Sequence, residues 1–178
     1  TELANPRNHF AARGWRAWRG LAVATGLAVG LAPALAEAAW NALIRPDPDT
    51  RQSRCLLVSD PVITEDGYDV TPVYLVLDGA ALRVVTESEL DASFADLRLE
   101  VDAEPPIASN QIIHKKMILV FDQDLPQLIE RFRAGKQATV HLRFWPTWPA
   151  TQSFPVRFSL VGFSRAHDRF TQGCRPAG

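Results

Sequence analysis

From residue 55 onward the apolar positions fall mostly in short runs with period two, the repeat of a strand that buries one face. Leu97, Leu99 and Val101 alternate with Arg98 and Glu100, which predicts a half-buried strand over 96–102. Val140, Leu142 and Phe144 alternate with Thr139, His141 and Arg143, and Phe154, Val156, Phe158 and Leu160 with Pro155, Arg157 and Ser159. Cys55 to Val58 opens on an apolar run, while Met117 to Phe121 is continuously apolar and is expected to be covered on both sides. Val73 to Leu77 and Ala80 to Thr86 flank Asp78-Gly79, a hairpin signal. About six or seven strands in roughly 120 residues predict a compact sandwich or barrel.

Two stretches change to helical period. Leu125, Leu128, Ile129 and Phe132 stand at i, i+3, i+4 and i+7, with Asp122 or Asp124 as cap, Pro126 in the first turn and Gly135 at the close. Phe163, Ala166, Phe170 and Cys174 share a face of a second helix, for which Ser164 is the expected cap. The fold class expected is therefore all-β or β-rich: a small antiparallel β-sandwich or barrel with two short helices, over about 124–134 and 164–172.

The N-terminal part is different material. Arg7, Arg13, Arg16 and Arg19 stand against one acid, Glu2, and an uncharged Ala/Gly/Leu/Val stretch then runs to Ala34-Leu35-Ala36. A basic start, an apolar middle and a small-x-small finish are the parts of a secretory signal, so residues 1–36 read as a signal peptide, or as a membrane anchor if uncleaved. Pro46-Asp47-Pro48-Asp49 marks residues 37–54 as a linker, leaving 55–178 as the exported β-rich domain. On this reading the location is periplasmic, and any membrane contact runs only through residues 1–36.

Composition narrows the chemistry. Hydrophobic residues make up 47% and charged residues 22%, enough for a core. The chain has net charge −1, and setting aside Arg7, Arg13, Arg16, Arg19 and Glu2 leaves 15 basic and 19 acidic residues. That balance argues against a nucleic-acid partner. Cys55 and Cys174 are the two cysteines, and in an oxidising compartment they are expected to pair. His114, His141 and His167 come from different elements with no ligand spacing, so no metal or cofactor is expected. Glu65-Asp66-Gly67-Tyr68-Asp69 lacks the spacing of a calcium loop and reads as a turn; Glu87, Glu89 and Asp91 read as a solvated loop. No nucleophile elbow, phosphate loop or dinucleotide motif occurs, and no catalytic residue is assigned.

Phe144-Trp145-Pro146-Thr147-Trp148-Pro149 stands out, because its prolines stop a sheet ladder. Its two tryptophans either fold back as a lid on the core or are displayed as a contact patch, in which case Trp145 and Trp148 are the partner-binding residues.

Phe158-Ser159-Leu160-Val161-Gly162-Phe163-Ser164-Arg165-Ala166 resembles the end of the invasion-associated locus B family of exported bacterial proteins. The layout is similar too: a signal, an early cysteine, a small β-domain and Gly135 before a late strand. The resemblance implies an envelope protein with a β-sandwich-like domain and no established catalytic residues. The reading that results is a non-enzymatic binding or accessory module of the envelope with a protein partner. One alternative is a periplasmic accessory subunit of a membrane complex, held by an uncleaved N-terminal helix. Another is a hydrolase or metal enzyme whose site is assembled from separated loops, with His114 or His141 beside carboxylates.

Overall fold

The computed structural model describes residues 39–148 and 151–175. The expected signal or anchor over 1–36 lies outside them. The chain divides into two units, and all the described residues belong to the second, which begins at Leu35.

The strands are β1 (Trp40–Pro46), β2 (Ser53–Ser59), β3 (Val62–Glu65), β4 (Val70–Leu77), β5 (Leu82–Thr86), β6 (Arg98–Val101), β7 (Ile107–Ala108), β8 (Ile112–Ile113) and β9 (Ile118–Phe121), then β10 (Gln137–Leu142) and β11 (Phe154–Ser159). The helices are α1 (Leu125–Ala134) and α2 (Phe163–Thr171). One sheet runs β1-β2-β4-β5-β9-β8, with β3 added on β4; the other runs β11-β10-β6-β7. Both are antiparallel throughout the described residues, and neither closes on itself, so the fold is β-rich and sandwich-like, not a barrel.

The alternating positions do what period two demands. Leu99 and Val101 of β6, Val140 and Leu142 of β10, and Val156 and Phe158 of β11 are all buried in the core shared with the other sheet. Cross-strand register stacks them, with Val140 opposite both Leu99 and Val156. From the seven-stranded sheet Leu57, Val73, Leu75, Val84 and Leu119 point into the same core. Leu128 and Phe132 of α1 and Phe163 and Ala166 of α2 close it. Trp40, Phe132 and Phe163 meet edge to face, with centroids 5.0–5.9 Å apart. Each buried ring contributes roughly 1.5–3 kcal/mol by burial, and each such pair roughly 0.5–1.5 more. Trp40 Nε1 donates to the Ser159 carbonyl at 2.8 Å, so its one polar atom is not left unpaired in the core.

The opposite face of the seven-stranded sheet is apolar as well: Leu56, Val58, Val76, Val85, Ile118 and Val120 are all buried there. This is why β9 reads as an unbroken apolar run. Asp47 lies against it, with Arg54 Nε at 3.1 Å and Arg83 Nη1 at 3.3 Å, and Arg54 also reaches Asp78 at 2.7 Å. Burial raises the Asp47 carboxyl, but the backbone N–H groups of Thr50 and Asp49 and the guanidinium groups of Arg83 and Arg54 outweigh it and hold the group below the usual aspartate value.

Four expectations are corrected. Residues 40–46 of the expected linker form β1, paired with β2 from Trp40↔Ser59 to Pro46↔Ser53. The Asp78-Gly79 hairpin closes through four residues rather than two, because Leu77 pairs Leu82 and the Asp78 carboxylate accepts from the N–H groups of Ala80 and Ala81. Neither Asp124 nor Ser164 caps its helix by side chain; Asp124 (φ 46°) and Gly162 (φ 82°) start α1 and α2 in left-handed backbone. Asp91, expected in a solvated loop, is buried. The cysteine expectation holds: Cys55 and Cys174 form a disulfide with Cα atoms 5.6 Å apart.

Candidate functional site

Beyond Leu142 the β10 strand cannot continue as a ladder. Phe144 makes one last bridge, to Leu90, and is buried. The chain then turns through a cis Trp145–Pro146 bond before returning as β11. A turn of this kind has few backbone bonds of its own, so its position depends on side chains around it.

Those side chains are unusually committed. Arg143 is buried and its Nε donates to both carboxylate oxygens of Asp96, at 3.0 and 3.2 Å. The same guanidinium reaches the Thr151 carbonyl and lies 4.4 Å from the centre of the Phe94 ring. Thr147, also buried, donates its hydroxyl to the Asp91 carboxylate. Asp91 N–H donates to the Arg143 carbonyl at 2.8 Å, and Trp145 N–H to the Glu89 carbonyl at 2.7 Å. From the β3–β4 turn, the Tyr68 hydroxyl donates to the Trp148 carbonyl at 2.5 Å. That turn is itself braced, since the Asp66 carboxylate accepts from Tyr68 N–H, Asp69 N–H and the Ser88 hydroxyl at 2.6–2.9 Å.

The anions in this frame are held as anions. Burial raises the Asp91 carboxyl, but hydrogen bonds from Ser93 and Thr147 and the charge of Arg143 outweigh it and leave it below the usual value. Asp66 is lowered in the same way, burial opposing and Ser88, Asp69 and Tyr68 prevailing. Both carboxylates are spent on structure.

What the frame displays is aromatic. Trp145 is 56% exposed and Trp148 79%, with Tyr68 and Phe94 also exposed beside them. The lid alternative is therefore corrected: the loop is fixed, but its indoles face outward. Lys116 Nζ stands 5.8 Å from the Trp145 ring centre and 3.0 Å from Glu89 Oε1. A cleft of about 430 Å³ opens beside Trp145, between Asp91, Ser93, Asn110 and Lys116. A second, of about 300 Å³, lies on the other side between Glu65, Tyr68, Asp69, Gln152 and Phe154.

The histidines do not converge. His114 Nδ1 lies 3.7 Å from Asp49 beside the seven-stranded sheet, and His141 Nε2 lies 3.2 Å from Glu100 on the four-stranded one. His167 stacks on Phe163 near α1, where burial and Arg133 lower its basicity. Among the described residues no group of three or more metal-binding side chains gathers, and no helix is long and apolar enough to cross a membrane. Sequence reasoning named Trp145 and Trp148 but missed Tyr68, Asp91, Arg143 and Thr147. Arg143 continues the polar alternation of β10, so its burial was not readable; Thr147, a lone hydroxyl between Pro146 and Trp148, was the available signal.

No family model matches the chain, and no curated protein matches it. Among solved structures it is similar to invasion associated protein B from Bartonella henselae, with 18% identity and a TM-score of 0.49, over 76% of this chain and 93% of that one.

Proposed function

We propose that this chain is a non-enzymatic binding or accessory module of the bacterial envelope, exported to the periplasm, which contacts a protein partner through Trp148 and the aromatic residues around it. The observation that carries the reading is the outward display of Trp145 and Trp148 on a loop whose backbone is fixed by buried Arg143 and Thr147. A large aromatic side chain carried on a fixed backbone has less freedom to lose on contact than one on a free loop, and tryptophan is enriched at binding hot spots. The disulfide supports an oxidising compartment. The C-terminal likeness to the invasion-associated locus B family supports the envelope.

The test is quantitative cross-linking in native envelopes with the Trp145→Ala/Trp148→Ala double variant beside the unaltered chain. The reading expects loss of the specific cross-linked species and a melting temperature changed by less than about 2 °C, since exposed side chains away from packing contribute within about ±0.5 kcal/mol. Unchanged cross-linking with a large loss of stability would return the indoles to a packing role.

A further inference from the structure

The two sheets each end in a strand of only two residues, β7 and β8, and those ends are sewn together by the segment between them. Ser109 N–H donates to the Leu97 carbonyl at 3.1 Å, its hydroxyl donates to the Val120 carbonyl at 2.5 Å, and Val120 N–H donates to the Gln111 carbonyl at 2.9 Å. Along this seam three clefts follow one another. The first is the one beside Trp145. The second, of about 210 Å³, lies between Ala95, Ala108, Ser109 and Asn110. The third, of about 110 Å³, runs on past Gln111 to Asp122 and Gln123. Asn110 lines all three, and Ala108 and Ser109 line the last two, so the clefts adjoin at these residues as a shallow groove with the Trp145 indole at the first.

We propose that this groove binds a linear oligosaccharide, with Trp145 as the platform for a terminal pyranose ring. The lining carries the argument. Its uncommitted polar groups are the side-chain amides of Asn110, Gln111 and Gln123, each with the donors and acceptors that sugar hydroxyls need, while the Ser109 hydroxyl is held by the Val120 carbonyl and Ser93 by Asp91. Of the charges along it, Lys116 is paired with Glu89 and Asp91 is held by Thr147 and Ser93, which leaves Asp122 at the far end as a carboxylate acceptor for sugar hydroxyls. Ala92, Ala95 and Ala108 keep the floor low, so a thin chain can lie along it. A half-exposed indole at the end of a polar groove suits a ring with an apolar C–H face and a polar rim. A peptide added as a strand in this groove is disfavoured, because the two sheet edges at the seam, β7 and β8, are only two residues long. The groove goes beyond the Trp148 contact and shares only Trp145 with that aromatic face.

The experiment is calorimetric titration of the purified full chain, with tryptophan fluorescence in parallel, using N-acetylchitotetraose, cellotetraose and maltotetraose. The groove reading expects at least one to bind with Kd near or below about 1 mM. Trp145→Ala should weaken that binding at least about tenfold, which is the scale of one stacking contact. Asn110→Trp, which fills the position common to all three clefts, should abolish it. Trp148→Ala should leave it within about twofold while losing the cross-linked protein. No heat and no fluorescence change with any of the three, up to about ten times that Kd, would overturn the proposal, as would binding indifferent to both groove variants. A chain that keeps its Trp148-dependent cross-link yet ignores all three sugars refutes the groove alone. A chain that binds sugar through Trp145 but has no such cross-link refutes the protein-partner reading alone.

Discussion

Replacing both cysteines by serine measures what joins the two ends of the β-domain. Cys55 and Cys174 are 119 residues apart, so the bond closes nearly the whole described fold into one loop. The chain-entropy relation gives about −16 cal/mol/K for a loop of that length, or about 5 kcal/mol of stability at 25 °C. Both residues are only half-buried, so losing the sulfur atoms removes little packing and the effect should sit in the unfolded state. Urea unfolding followed by circular dichroism, at equal protein concentration without reductant, is the assay. The double variant should lose about 3–5 kcal/mol and melt about 10–20 °C lower. Its m-value should rise, because an unfolded chain without the cross-link exposes more surface. A loss below about 1 kcal/mol with an unchanged m-value would refute the reasoning. It would mean that the bond restrains only the turn after α2, which already has its own tie, Cys174 N–H to the Arg169 carbonyl at 3.0 Å.

Gly135→Ala should destabilise by about 1–3 kcal/mol in the same assay, because its new Cβ would stand 2.6 Å from Val101 Cγ1 and 2.9 Å from the Arg131 carbonyl. Arg143→Met should cost about 1–3 kcal/mol by leaving Asp96 without its guanidinium, and hydrogen exchange should show the Trp145–Trp148 loop opening faster while β6 is unchanged. Asp47, Asp66 and Asp91 all bind their protons less readily folded than unfolded. Their contribution is therefore complete above the unfolded aspartate value of about 3.9 and is lost as pH falls through the lower folded values. Asp91→Asn should flatten that acid limb in urea midpoints taken from pH 7 down to pH 2, and an unchanged slope would count against its role.

The sequence was legible wherever one face of a strand is wet. β6, β10 and β11 announce themselves because Arg98, Glu100, Thr139 and Arg157 must stay near water while their neighbours cannot. β1 was hidden: its apolar Leu43 and Ile44 are exposed at a sheet edge, and the proline-aspartate run beside it suggested irregular chain. β7 and β8 are too short to show any period. Gly135 was read as a helix stop, yet its backbone is ordinary (φ −82°), and the real demand is the close approach of Val101. At the site, the prolines revealed a loop but not where its indoles would go. That depends on Tyr68, 80 residues away from Trp148, and on Asp91, 56 residues from Thr147. Distant pairs of this kind leave no local pattern to read.

The bond from the Trp40 indole to Ser159 sets a direction of approach. Trp40 sits at the Ser159 end of β11, and the displayed loop leads into its Phe154 end, five residues and roughly 17 Å away. The start of β1 and the displayed tryptophans therefore belong to opposite ends of the same strand, so a ligand held at one end leaves the other end's contacts untouched.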